Sequence, residues 1–126
     1  MKTLSAKELH EQGVRYYKGD GGQKDDRKAI ECFEQAITMG HAPSKRALAC
    51  ILLGEKSAWD AQTSEEKRGV QLYEEAASEG DKLAKEWFVL QYGTMTTIFK
   101  LLKGEEARKR AALAKQYLEE LRASHE

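Results

Sequence analysis

Apolar residues recur every three or four positions along most of this chain, which is the spacing of one face of an α-helix. Capping boxes begin at Ser5 and Thr63, and aspartates suited to capping a helix stand at Asp25 or Asp26 and at Asp81. Glycines interrupt the pattern between the apolar runs. These signals predict seven helices and no strand, over residues 5–18, 25–40, 43–53, 63–80, 81–93, 94–103 and 105–124.

The last predicted helix, which follows Gly104, carries a narrow apolar seam. A 4-3-4-3 spacing relates its inward positions, which are Ala107, Ala111, Ala114, Leu118 and Leu121. This spacing is typical of close packing between two helices. We expect the seam to lie across Trp87 and Phe88 and to cap the end of the fold.

A register of 40 residues relates two of the predicted helices without gaps. Residues 29–40 align on residues 69–80, and both carry an aromatic residue, an alanine three positions later and a glycine four positions beyond it. Periods of roughly 20–50 residues are typical of stacked units that bury their apolar faces against one another. Small residues such as Ala29 and Ala36 allow paired helices to approach, while Phe33 and Tyr73 fill the space between units.

At these positions the chain resembles the Sel1-like repeat family. The first repeat matches the pattern of that family at Gly13, Tyr16, Gly19, Gly21, Asp25, Lys28, Ala29, Phe33, Ala36 and Gly40. The second matches at Ala42, Leu48, Tyr73, Ala76, Ala77 and Gly80, and a third begins at Ala84 and reaches Phe88 and Tyr92. Gln12 and Gly69 depart from the pattern, and the loop before Thr63 is longer than usual. The glycine-rich loop and the longer period favour this family over the tetratricopeptide repeat.

The resemblance implies an all-α fold in which antiparallel helix pairs stack as a short right-handed α-solenoid. We expect a single domain over residues 1–126, with one repeat at 5–40, a second at 41–80, a partial third at 81–93 and capping helices at 94–126. Met1 and the cap-like end indicate a whole protein, not a fragment of a longer array.

Charge and composition narrow the classes of partner. The 21 basic and 21 acidic residues give a formal net charge of +0, which provides no general attraction to nucleic acid or to an anionic membrane. The first residues lack the apolar core of a signal peptide, and no apolar run approaches the roughly 20 residues of a membrane span. We therefore expect a cytoplasmic protein in which Cys32 and Cys50 are reduced and buried.

Catalytic and metal-binding patterns are missing from the sequence. The three histidines, His10, His41 and His125, have no second His or Cys at ligand spacing. Gly19 to Gly22 is glycine-rich, but no strand precedes it, so it does not predict a phosphate-binding loop. We expect no enzyme activity, no cofactor and no metal.

The resemblance implies a module of protein–protein interaction, in which the first helix of each repeat lines a concave binding surface. The expected role is that of an adaptor, a scaffold or a neutralising partner for another bacterial protein. The alternative is a homodimer built through the seam of the last helix.

Six residues are predicted to contact a partner, and they are Arg15, Tyr17, Lys45, Arg46, Trp59 and Tyr92. Exposed aromatic side chains would act as anchors, and the basic ones would form a rim for an acidic peptide. The second interpretation is that the aromatic residues, with Tyr16 and Trp87, pack between helices and that the basic ones are solvated. Trp59 either covers the core as a lid or is an exposed contact. A basic stretch over 100–115 is interpreted as a solvated helix face and not as a patch for RNA or lipid.

Overall fold

A computed structural model describes residues 3–93 and 97–124 of the chain, with side chains described outside 97–103. Its six helices are α1 (Ala6–Lys18), α2 (Asp26–Thr38), α3 (Ala42–Leu53), α4 (Ser64–Ser78), α5 (Lys82–Tyr92) and α6 (Thr97–Ala123). A short 3₁₀ helix (Ala58–Asp60) lies between α3 and α4, and the described residues form no strand. None of the described helices is long and apolar enough to cross a membrane.

Seven helices were expected, and the difference lies at Gly104. This residue has φ 84° and ψ −165° and interrupts α6, so the expected break is present inside one helical element. The predicted start at residue 94 and the inward face of residues 94–103 lie outside the described residues.

Helices next to one another in the sequence pack together, so α1 pairs with α2, α3 with α4 and α5 with α6. The pairs are joined by contacts of α2 with α3 and of α4 with α5, and α1 also touches α3. The fold is therefore an α-solenoid of helix pairs, as the sequence predicts. We refer to α1, α3 and α5 as the first helices and to α2, α4 and α6 as the second helices.

The 40-residue register is also visible in the backbone hydrogen bonds. The amide of Gly40 donates to the carbonyl of Ile37 at 2.8 Å, and the amide of His41 donates to the carbonyl of Ala36 at 3.2 Å. This is a Schellman motif, which needs the positive φ of 81° that Gly40 adopts. Forty positions on, the same two bonds recur at 3.1 and 3.0 Å around Gly80. Both repeats therefore end in the same turn.

Each second helix buries two small residues seven positions apart. These pairs are Ala29 with Ala36, Gly69 with Ala76, and Ala107 with Ala114. Since α6 keeps this spacing, it packs on α5 in the manner of a second helix.

The predicted seam of α6 is only partly correct. Ala107 and Ala114 are buried, but Ala111, Leu118 and Leu121 are only half-buried, and the third buried residue among the described side chains of α6 is Tyr117. The Tyr117 ring meets Phe88 edge to face at 5.3 Å between centroids. The buried face is rotated because a straight helix turns every 3.6 residues and the large ring of Tyr117 removes more apolar surface from water than Leu118.

Two further expectations concern Trp87 and the cysteines. Trp87 stacks flat on Tyr73 of α4 with centroids 4.0 Å apart. Cys32 is a buried free thiol, as expected, whereas the free thiol Cys50 is exposed. Cys50 lies on the outer side of α3, beyond the apolar face that includes Leu48.

Gly13 allows the closest helix approach in the first pair. A Cβ built there would lie 2.7 Å from the Phe33 ring, which is almost fully buried and has no room to move. We predict that Gly13→Ala lowers the free energy of unfolding by about 1–2 kcal/mol, because overpacking costs more than the roughly 1 kcal/mol gained in helix propensity.

Chemical denaturation would measure this change, and Gly22→Ala is the matched control. A Cβ at Gly22 meets no atom within 4 Å, so this variant should be as stable as the parent. Equal stability of the Gly13→Ala protein would contradict the close-packing argument.

Candidate functional site

The first helices align when each is counted from its N-cap, which is Ser5 for α1, His41 for α3 and Asp81 for α5. Positions two, six and nine after the cap fall on one face, because they are spaced by four and three residues. In α3 and α5 this face carries Pro43, Ala47, Cys50, Leu83, Trp87 and Leu90. In α1 the same positions are Lys7, Glu11 and Val14. We call these residues the A-helix stripe.

The stripe includes the most exposed large apolar side chains of the described residues. Leu90 is 73% exposed and Leu83 is 53% exposed. Half-buried Trp87 and exposed Cys50 lie beside them in the stripe. Water-exposed leucines two turns apart on one face of a helix are typical of a surface that another molecule covers.

Tyr73 of α4 supports the stripe from below. Its ring stacks on Trp87 with planes 8° apart, and its hydroxyl lies 2.9 Å from Sγ of Cys50. Burial, followed by the hydrogen bond with Cys50, raises the pKa of Tyr73, so the hydroxyl stays protonated at neutral pH. This buried ring therefore joins α3 to α5 and fixes the orientation of Trp87.

Lys45 and Arg46, two of the predicted contacts, form ion pairs with acidic residues in the turn between α4 and α5. Nζ of Lys45 lies 2.5 Å from a carboxylate oxygen of Glu79, and this hydrogen bond raises the pKa of Lys45. Nε of Arg46 donates to Asp81 at 2.8 Å, and the same carboxylate caps α5. The positive charges of both residues are thus largely neutralised within the fold.

Arg15 and Tyr17 lie near the end of α1. Arg15 is exposed and forms no ion pair with another described residue. The Tyr17 ring is 39% exposed, and the Lys24 ammonium lies 4.5 Å from its centroid. Both side chains remain accessible at the surface.

The contacts and the exposure of Trp59 are compatible with both interpretations, a lid on the core and an exposed contact. Its indole Nε1 donates to the carbonyl of Gln91 at 3.3 Å, and its ring contacts Tyr92 edge to face at 5.3 Å. The amide of Ala58 also donates to the Gln91 side chain at 2.8 Å, so this loop is fixed onto α5. Trp59 is nevertheless 39% exposed to solvent.

Tyr92 lies in the core, which leaves almost none of it for direct contact with a partner. It stands eleven positions after its N-cap, on the same inward face as Tyr16 and Leu52. Its hydroxyl donates to Glu74 at 3.2 Å, and Glu74 accepts a 2.8 Å hydrogen bond from Arg110. Arg110 therefore joins α6 to α4. This contact differs from the solvated helix face that was expected for the basic stretch over 100–115.

Leu83, Leu90 and Cys50 were not predicted as contacts from the sequence, because the 40-residue alignment covered only the second helices. Counting from the N-caps would have placed Leu83 and Leu90 seven positions apart on one face, away from buried Ala84 and Phe88.

The part of the chain that the structure describes holds no cluster of three or more His, Cys, Asp or Glu residues suited to a metal ion. What is repeated instead is a helix pair with the same spacing of small buried residues, and the first two pairs end in the same turn. These features define a helical-repeat protein of stacked helix pairs.

A family model of the Sel1 repeat matches residues 13–41 and 47–81, about half of the chain. The chain belongs to the Sel1 repeat family. Sel1 repeats are generally modules of protein–protein interaction, and the family is typically non-catalytic. No curated protein and no solved structure matches the chain.

His10 lies in the contact between α1 and α3. Its Nδ1 is 2.9 Å from Oγ of fully buried Ser44, and its ring lies 5.1 Å from that of His41. Burial lowers the pKa of His10 below 6.5, and nearby His41 and Arg46 lower it further. Glu11 and Asp81 also face His10 and act in the opposite direction.

We predict that acid weakens the fold through His10. Because its folded-state pKa is depressed, its contribution to stability is present above pH 6.5 and is lost as the pH falls through the folded-state pKa. Thermal unfolding followed at neutral and at mildly acidic pH should show a smaller loss of stability for His10→Gln than for the parent. Equal acid sensitivity of His10→Gln would contradict this assignment.

Proposed function

We propose that this protein is a non-catalytic binding module that holds another protein against the concave side of its first helices. The observation that carries the proposal is the A-helix stripe, in which Leu83, Trp87, Leu90 and Cys50 form an accessible apolar surface across α3 and α5. Burying a leucine contributes about 1.5–3 kcal/mol. The role is that of an adaptor, a scaffold or a neutralising partner.

Rigidity supports this proposal. The ion pairs of Lys45 with Glu79 and of Arg46 with Asp81, and the stack of Trp87 on Tyr73, hold the stripe in one arrangement. A preformed surface loses less conformational entropy on binding than a flexible one. Lys45 and Arg46 therefore contribute to binding mainly by positioning α3 against α5.

Of the other predicted contacts, Arg15, Tyr17 and Trp59 stay in the proposal as contacts outside the stripe, because each is accessible. Tyr92 supports Trp59 from beneath. The domain division is also kept, with repeats at 5–40 and 41–80 and the remaining residues completing and capping the array. We place the protein in the bacterial cytoplasm, a reducing compartment that suits the free thiols Cys32 and Cys50.

The test uses Leu83→Glu/Leu90→Glu, which places two charges in the stripe. The tagged protein is used to capture partners from the source cell, and the bound protein is then titrated with each variant. We predict that the double variant weakens binding more than tenfold, since burying an unpaired carboxylate is costly. Its thermal unfolding should match the parent, because both leucines are exposed.

Met39→Glu is the matched control, because Met39 is also exposed, at 51%, but follows the second helix α2. This variant should bind as the parent does. Equal losses in Met39→Glu and in the double variant, or no loss in either, would exclude the stripe as the binding surface.

A homodimer is the second candidate. A groove of about 500 Å³ lies between α5 and α6, lined by Val89, Ala111 and Leu118 among others. Ala111 and Leu118 are seam residues that do not pack fully into the core, and so is Leu121, which favours a contact between two copies of α6. Arg108 and Lys115 also line the groove, and their like charges in a second copy oppose that contact. The homodimer therefore ranks below the stripe.

Sedimentation velocity at tens of micromolar tests the homodimer. If α6 assembles the chain, the parent sediments as a dimer and Leu118→Glu as a monomer, because the carboxylate would be buried in the interface. Ala123→Glu, at an exposed position of the same helix, should leave the dimer intact. A monomeric parent protein would remove this candidate.

A further inference from the structure

A polar depression of about 530 Å³ lies at the end of the first helix pair, where α1 turns into α2. Arg15 and Tyr16 line it from α1, Lys28 from the first turns of α2, and Gly21 and Gly22 from the loop. Its position at the end of the pair separates it from the A-helix stripe.

The two long cations of this depression remain available to a ligand. Neither Arg15 nor Lys28 forms an ion pair with another described residue, whereas Lys24 is paired with Asp26. The carboxylate of Asp25 accepts a hydrogen bond from the Lys28 amide at 3.1 Å, and this contact serves to cap α2. Asp20 is the other acidic residue of the lining. Over the whole lining, the three cations Arg15, Lys24 and Lys28 outnumber the two carboxylates of Asp20 and Asp25.

This arrangement contrasts with the basic rim expected on α3. There, Lys45 is neutralised by Glu79 of the same repeat and Arg46 by Asp81 of the next one. The first repeat keeps Arg15 unpaired and adds Lys28 to it. A negatively charged ligand would therefore meet unpaired cations at the turn between α1 and α2 and not on α3.

The walls of the depression suit an extended chain. A Cβ built at Gly21 or Gly22 would meet no atom within 4 Å, so the loop presents bare backbone beside open space. The Tyr16 ring provides a flat surface, with the Lys28 ammonium 5.6 Å from its centroid. Gln12 adds a side-chain amide that can bond to a peptide backbone. The volume also exceeds what one small inorganic anion fills.

We propose that this depression binds an acidic peptide segment of the partner protein, with Arg15 and Lys28 contacting its carboxylates and Tyr16 packing against its chain. The proposal rests on the binding function argued above and adds the chemistry of the partner. The segment contributes charge-assisted hydrogen bonds, and the A-helix stripe contributes the apolar contact.

A short oligoglutamate peptide, titrated into ¹⁵N-labelled protein at low salt, tests the proposal. The amide signals of Gly21 and Gly22 should shift and saturate, and Arg15→Gln/Lys28→Gln should weaken binding about tenfold or more, as expected for lost hydrogen bonds to charged groups. Lys18→Gln/Arg27→Gln is the matched control, because it removes the same charge from the same helices outside the depression. The control should weaken binding by no more than about twofold.

Three results would overturn the proposal. Equal losses in the two double variants would indicate general charge attraction, and shifts confined to other residues would place the peptide elsewhere. Inorganic phosphate that shifts the same amides and competes as well as the peptide would indicate a small-anion site. An oligoglutamine peptide should give no shifts.

The Leu83→Glu/Leu90→Glu protein separates this proposal from the proposed function. It should bind oligoglutamate as the parent does, because its substitutions lie outside the depression. If it binds the peptide normally and also keeps the captured partner, the stripe is excluded while the acidic-peptide site stands. If the captured partner needs the stripe and oligoglutamate does not bind, only the acidic-peptide site fails.

Discussion

The close approach of helices at small residues is the constraint on which the rest of this structure depends. Gly13 leaves room for the Phe33 ring, and a Cβ at Gly69 would lie 3.1 Å from the side chain of Leu53. With the helices so close, the large aromatic rings fill the space between pairs, as Tyr73 does between α3 and α5. The spacing of the pairs, and thus the position of every outward residue, follows from these few contacts.

The same constraint explains why the basic residues of α3 form ion pairs within the fold. The close packing of the helices brings Lys45 and Arg46 next to the turn that ends α4. Glu79 and Asp81 lie in this turn. Asp81 serves both as the N-cap of α5 and as the partner of Arg46. An ion pair that also completes a helix cap is worth more than an isolated surface pair, because its carboxylate is already fixed.

Local signals predicted the helices well. The capping boxes at Ser5 and Thr63 are both formed, and the 40-residue register recurs in the turns around Gly40 and Gly80. The outward residues were harder to predict, because whether Leu83 is exposed depends on which neighbour covers it and not on its own spacing. The pairing of Lys45 was also invisible, since Glu79 lies 34 residues away along the chain. The rotation of α6 depended on the fit of Tyr117 against Phe88.

The stacking also divides the accessible surface into two chemical regions. In α3 and α5 the A-helix stripe is apolar because its positions carry Pro, Ala, Cys, Leu and Trp residues, and Lys45 and Arg46 of α3 are held in ion pairs outside it. In α1 the stripe carries Lys7 and Glu11, and Arg15 forms no ion pair with another described residue. The fold thus has an apolar surface on α3 and α5 and unpaired cations at its first turn. A partner that spans both regions must carry an apolar segment and an acidic one, which is a more selective requirement than either contact alone.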